Sequence, residues 1–304
     1  MADVVDTVGF FVGCNTAFNR PDLESAVRYA FPALGVELDD LEGQSCCPSW
    51  GTMPSVDEAG WCAVSARNYV LAEEKAIDIV TVCGSCYGSM AETRHKLRHD
   101  PELRERVNDL LATLGKEFRG TSDIIQAPYY LHRKIGPDAI AGRIKHRLSG
   151  MRIAVQPGCH ALWPSEVYTY AEQDTFHPVV LRELCEALGA SAPAYSRLTD
   201  CCGMGGMRST DPEKSLNLVR VKLQAINEEV DPDLIVTGCS SCLIQLDTAQ
   251  ALLQKEGAID FGIPVLHYMQ LLAVCLGADP VPTTGLAKSG VERVVRKIRG
   301  DEDE

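Results

Sequence analysis

No apolar run in this 304-residue chain approaches the ~18–20 residues that cross a bilayer, so no membrane span is expected. Basic charge is in short supply too. Lys and Arg number 29 against 42 Asp and Glu, a formal net charge of −13. That balance argues against nucleic acid as a partner and against an anionic membrane surface, since both need a basic footprint. A small anionic ligand stays open, because a local pocket can oppose the global field. The start, Met-Ala-Asp-Val-Val-Asp, has neither the basic residues nor the apolar stretch of a secretory signal, and a cytoplasmic location is expected. Two cofactor signatures are missing as well. There is no C-x2-C-x2-C-x3-C-P run of the kind that ligates cubane clusters, and no flavin or dinucleotide fingerprint. Electrons for any redox chemistry are therefore expected to come from another subunit.

What the chain has in abundance is cysteine, 13 in all. A disulfide scaffold suits short secreted chains; in a reducing compartment, clustered cysteines read first as metal or redox ligands. Ten of them form two sets. Cys14, Cys46, Cys47, Cys83 and Cys86 repeat as Cys159, Cys201, Cys202, Cys239 and Cys242: a lone cysteine, a vicinal pair, then CxxC. The pair and the CxxC are separated by 35 residues in the first set and 36 in the second. The lone cysteine and the pair are separated by 31 and 41, which places an insertion of ten residues in the second half, within Trp163 to His177. Cys62, Cys185 and Cys275 fall outside the pattern on apolar helical faces and read as buried thiols.

The flanks repeat too. Asp78-Ile79-Val80-Thr81-Val82-Cys83 matches Leu234-Ile235-Val236-Thr237-Gly238-Cys239, and Gly13-Cys14 matches Gly158-Cys159. Short β-branched runs that end in cysteine predict buried parallel strands with ligands at their carboxyl ends. Between them the period turns helical. Residues 57–75 open with a capping-box spacing at Ser55 and Glu58, and residues 212–229 start at Pro212 with Leu216, Val219, Leu223 and Ile226 on one face. The fold class expected is α/β: two pseudo-twofold-related lobes, each a mainly parallel sheet flanked by helices. The lobes divide as 1–147 and 148–282, with the boundary stretch near Gly142 to Gly150. Residues 91–117 read as a charged helical insertion whose His95, Lys96, Arg98 and His99 form a solvated face. Residues 283–304 read as a polar, mobile tail.

The chemistry follows from the spacing. A CxxC alone serves zinc, redox dithiols and iron–sulfur sites alike. Adjacent residues in extended chain point to opposite sides, so two neighbouring sulfurs suit a multi-iron cluster better than one tetrahedral ion. Structural zinc and an ordinary cubane each take four ligands, and each half offers five. The plainer reading is one spare cysteine per half, and a zinc-stabilised docking scaffold stays open as a different class of function. The run Cys202-Gly203-Met204-Gly205-Gly206 lets backbone amides approach an anionic centre.

These residues resemble the CCG-domain family, and more closely the B subunit of heterodisulfide reductase. The signature C-x31-CC-x35-CxxC is met by Cys14 through Cys86 and repeated by Cys159 through Cys242. Further matching stretches are Leu41-Glu42-Gly43-Gln44-Ser45-Cys46, Ala66-Arg67-Asn68, Cys86-Tyr87-Gly88, Gly158-Cys159-His160 and Pro264-Val265-Leu266-His267-Tyr268. Pro48, where the motif has glycine, and Ser240-Ser241 inside the second CxxC are departures that remove no ligand. The resemblance implies two noncubane 4Fe–4S clusters, each held by the five cysteines of one set. It implies reductive cleavage, in one-electron steps, of the coenzyme M–coenzyme B disulfide held between them. It also implies a ferredoxin-like cubane subunit and a flavin subunit as partners. Related proteins serve sulfur oxidation, thiol-linked fumarate reduction and flavin-linked dehydrogenation. His160 is a candidate catalytic residue, as a donor to a leaving thiolate or to the cluster. Arg208 is a candidate partner for an anionic substrate group, or a surface ion pair. His267 reads as a packed, hydrogen-bonded histidine.

Overall fold

The computed structural model describes residues 6–51 and 53–301. Strands β1 (Asp6–Phe11), β2 (Val36–Asp39), β3 (Ile79–Thr81) and β4 (Ile124–Gln126) form one sheet in the order β2-β1-β3-β4. Strands β5 (Ile153–Gln156), β6 (Leu234–Thr237) and β7 (Val265–His267) form a second in the order β5-β6-β7. Every pairing is parallel. The sheets correspond strand for strand, β1 to β5, β3 to β6 and β4 to β7. The counterpart of β2 is reduced to a single bridge between Arg152 and Ser191. This is the α/β, two-lobed architecture expected from the repeat.

Both faces of the first sheet are covered, and alternate residues along its strands serve different cores. Val8, Phe10, Val80 and Ile125 face one cluster, whereas Phe11, Ile79 and Ile124 face another. The first of these clusters is shared: it also holds Ile153, Val155, Val236, Leu266 and Leu272 of the second lobe. Helix packing also runs between the lobes, with Tyr268–Cys275 lying against Pro21–Ala33.

A buried polar knot reinforces this seam. Arg20 donates to Asp22 (2.8 Å) and to Asp247 (3.2 Å), with all three side chains almost wholly buried. Gln270 donates to Asp22 at 2.9 Å, and Asp247 accepts the backbone N–H groups of Lys288 and Ser289. The inserted segment of the second lobe closes over the first. Tyr168 stacks on Tyr87 with centroids 4.4 Å apart, and Arg94 donates to Thr169. Buried Glu172 accepts from Tyr129 and from the amides of Val179 and Val180.

Three local expectations change. The helix Glu58–Glu73 is capped by Asp57, whose carboxylate accepts the Gly60 N–H at 2.9 Å. Ser55 belongs to a separate turn, Met53–Val56, so the capping-box spacing is coincidental. The charged stretch 91–117 is two elements, because Asp100 and Pro101 end Gly84–His99 and cap Pro101–Ala112. Most of the segment from Thr283, expected to be a mobile tail, is folded. Thr283 and Thr284 are buried, and Glu292–Arg299 sends Val294, Val295 and Ile298 into the shared core. Its polar composition masks an apolar stripe at i, i+1 and i+4.

Removing Asp247 leaves Arg20 short of one carboxylate in a dry seam. Asp247→Ala should cost about 3–5 kcal/mol of unfolding free energy by denaturant titration, far more than breaking the exposed Lys96–Glu58 pair.

Candidate metal centre between the lobes

Each lobe delivers its sulfurs by the same three devices. The first is a glycine turn at the end of the leading strand. Gly13 (φ 74°) and Gly158 (φ 96°) both have left-handed backbone. A Cβ on Gly13 would sit 3.0 Å from Cys86 Sγ, and one on Gly158 would sit 3.1 Å from Cys239 Cβ. Only glycine lets the lone cysteine's loop approach the CxxC this closely.

The second device is a helix N-terminus. Cys83 is the N-cap of Gly84–His99 and Cys239 the N-cap of Ser240–Lys255. Both sulfurs therefore sit in the positive field of unpaired N–H groups, but they share a proton: Cys83 is lowered, while Cys239, against the hydrogen bond from Cys242, is pushed up to about 11 by Cys83 and burial. The two helix starts face each other across the seam. The Gly84 N–H donates to Cys239 Sγ (3.0 Å), the Ser240 N–H donates to Val82 O (2.8 Å), and Ser241 Oγ lies 3.6 Å from Cys83 Sγ.

The third device anchors the vicinal pairs to a neighbouring helix. In the first lobe, Asn68 accepts from the Ser45 N–H and donates to Cys46 O, Ser65 donates to Cys47 O, and the Trp61 indole donates to Pro48 O at 2.7 Å. Pro48 is thus an anchor through its carbonyl, a role that does not require the motif's glycine. In the second lobe Ser215 donates to Gly203 O at 2.7 Å. Gly203 (φ 82°) packs so closely that a Cβ would meet Ser215 O at 2.6 Å, and its own amide donates to Cys201 Sγ at 3.3 Å.

The sulfurs within each set share protons. Cys47 is pulled down to about 5 by hydrogen bonding from Cys46, and Cys201 to about 2 by hydrogen bonding from Cys159. Cys83 is held well below the usual thiol range by Cys239 and Cys86. The proton-keeping partners Cys46 and Cys159 go up correspondingly. The Cys242 thiol donates to Cys202 at 3.2 Å. Among the described residues, no group of three or more His, Cys, Asp and Glu side chains is spaced as a site for one metal ion. Five soft donors per set, with Cys47, Cys83 and Cys201 held toward thiolate while their neighbours keep the protons, fit an iron–sulfur cluster. Cys62, Cys185 and Cys275 are remote and fully buried; burial pushes Cys62 and Cys275 up to about 12.

A cavity of about 150 Å³ lies at the seam. All five cysteines of the second set line it, with Trp50, His160, Ser85 and Ser241. His160 packs on Trp50 with ring centroids 4.0 Å apart and planes tilted by 45°, and burial lowers its proton affinity. Gly88 makes room for it: a Cβ there would lie 2.9 Å from His160 Nδ1. Arg208 is placed elsewhere. It is exposed, donates to Gln245 at 3.3 Å, and lines two further cavities of about 440 and 370 Å³. Met204 borders both the smaller of these and the cysteine cavity. His267 is fully buried, accepts the Met269 N–H and is pushed down to about 4 by burial.

Trp50 and Lys222 do not stand out in the sequence reading. Trp50 carries no pattern. Lys222 carries a signal: it falls between Val219 and Leu223 on the apolar stripe of Pro212–Glu229, where a lysine is out of place.

The comparisons with known proteins agree with this geometry. The family model described as a cysteine-rich domain, CCG, matches residues 8–91 and again 153–247. The chain is 57% identical, over 95% of its length, to a protein of Archaeoglobus profundus described as like the heterodisulfide reductase B subunit, covering 97% of that protein. It is 36% identical to the B subunit of the ferredoxin:CoB-CoM heterodisulfide reductase of Methanosarcina mazei, with 95% of each chain covered. It is 28% identical to the 8-methylmenaquinol:fumarate reductase membrane anchor subunit of Wolinella succinogenes, over 91% of this chain and 94% of that one. No described helix here is long and apolar enough to cross a membrane. A crystal structure of a hypothetical protein from Helicobacter pylori shares the fold, with a TM-score of 0.72 and 12% identity. That likeness covers 92% of this chain and half of the longer one. With both halves matched and near-full-length relatives at 57% and 36% identity, the chain belongs to the family of heterodisulfide reductase B subunits, built from two CCG cysteine-rich domains.

Proposed function

We propose that this protein is the catalytic iron–sulfur subunit of a reductase that cleaves a small heterodisulfide, the coenzyme M–coenzyme B disulfide, at the seam between its lobes. The observation that carries the reading is a cavity of about 150 Å³ at the seam, lined by all five cysteines of the second set and by Trp50, Gly84 and Ser85 of the first lobe, with the first set adjoining it where Cys83 meets Cys239. Residues 1–147 and 148–282 each supply one noncubane 4Fe–4S site. Such clusters supply electrons singly and offer iron to a substrate sulfur.

The chain's own residues do the rest. Trp50, Met204 and Met207 exclude water around the S–S bond. His160, held between Trp50 and Gly88, presents its imidazole to a departing thiolate as a hydrogen-bond or proton donor. The cavities beyond Met204 take the rest of the substrate, and Arg208 with Lys288 receives its anionic end. A ferredoxin-like cubane subunit, fed by a flavin subunit, delivers the electrons.

Anaerobically purified protein should contain about eight irons and eight sulfides per chain; about two zincs without sulfide would make it a docking scaffold instead. Cys14→Ser and Cys159→Ser should each halve the iron. These positions test the sets separately, whereas Cys83 and Cys239 touch across the seam.

Turnover of the coenzyme M–coenzyme B disulfide with reduced viologen tests the activity. Inertness on that disulfide together with reduction of sulfur-oxidation intermediates would assign the chain to a different task. His160→Gln should lower turnover by roughly 10²-fold with iron retained. Gly88→Ala should lower it in the same direction by displacing the ring. Loss of half the iron from His160→Gln would mean that the residue holds the second cluster instead.

A further inference from the structure

We propose that Lys222 makes the two cysteine sets electrically unequal, its buried ammonium serving as the resident counter-charge of the second set, so that this set accepts an electron before the first. The inference rests on the two-cluster reading above.

Lys222 is 1% exposed, the one lysine among the buried described residues. Its ammonium donates to Gln156 Oε1 (2.5 Å), Arg197 O (2.5 Å) and Leu198 O (3.4 Å). Gln156 ends β5 just before Cys159, and Arg197 and Leu198 lie on the approach to Cys201. One side chain thus ties together two of the three segments that carry the second set. All three acceptors are neutral. The other buried cations differ: Arg20 is paired with Asp22 and Asp247, and Arg94 with Asp123.

A buried ammonium without a carboxylate in contact is costly unless other negative charge offsets it. Here the ammonium lies 5.6 Å from the centroid of the Tyr195 ring, and the sulfurs of the second set add to the offset. Burial pulls Lys222 down to about 8, and the charges of Cys242, Cys202, Asp200 and Cys201 oppose that fall. Of these, Asp200 already has a cation of its own, the exposed Arg197 at 2.8 Å.

The first lobe performs the same mechanical task without a buried charge; its Arg67 donates to Gly43 O only in an exposed contact. Asn68 grips Ser45 and Cys46. Gln44 accepts the Val12 N–H and donates to Phe10 O, tying the end of β1 to the Cys46 loop. Both clamps are amides. Reduction adds negative charge to a centre already surrounded by thiolates, so a fixed cation beside one set favours electron entry there.

The test compares single-cluster proteins. Cys14→Ser keeps only the second cluster and Cys159→Ser only the first; each is titrated with dithionite and followed by electron paramagnetic resonance, with iron and sulfide assayed. The second cluster should have the higher midpoint potential, and an equal or lower value overturns the inference. Adding Lys222→Gln to Cys14→Ser should shift that potential downward at unchanged iron content, whereas Lys222→Arg should leave it near its original value. The same Lys222→Gln change in Cys159→Ser should move nothing. Clusters that load but titrate alike with and without the charge overturn the inference alone. Wild-type protein without iron or sulfide removes the two-cluster reading and the inference with it.

Discussion

Ten thiols gathered at one seam repel each other as soon as they ionise, and much of the architecture answers that constraint. Parallel strands aim their carboxyl ends at the seam, and the helices that follow β3 and β6 bring positive N-termini to Cys83 and Cys239. Protons shared within each set keep part of the sulfur neutral. Glycines at 13, 158 and 203 remove the side chains that would hold the loops apart. A bound cluster would replace the shared protons with metal, which is why the same geometry serves both a thiol store and a ligand set.

The lobes are repeats in topology and one body in packing. The core that backs the first sheet also contains the second sheet's strands, and the knot of Arg20, Asp22 and Asp247 ties the two at depth. A site formed between lobes needs this. If the halves could hinge, the spacing between the sulfur sets would change with every fluctuation. The insertion in the second lobe works in the same sense: Tyr168 and Glu172 reach back over the first lobe.

The pseudo-symmetry is imperfect where chemistry needs a direction. His160 and Trp50 enter the cavity from opposite lobes, and the repeat places Asn15 and Gly205 at their matching positions. The edge strand of the first sheet is only a bridge in the second. Such differences let the two ends of the cavity be told apart, since a perfectly symmetric site would bind an unsymmetric ligand in either orientation.

The sequence by itself determined the repeat, the ten cysteines and the parallel α/β lobes, because strands that end in cysteine and helices that follow them leave period, glycine and spacing marks along the chain. It also placed His160 beside Cys159. It misled at the cap of Glu58–Glu73 and in the segment after Thr283, since Asp57 and a short apolar stripe were outweighed by stronger nearby composition. Only the tertiary structure decided that the two sulfur sets touch, that Trp50 and Gly88 frame His160, that Arg208 stands outside the cysteine cavity, and that Lys222 is buried. Each of these depends on residues far apart in sequence, and such contacts are fixed by how the lobes pack, not by any local periodicity.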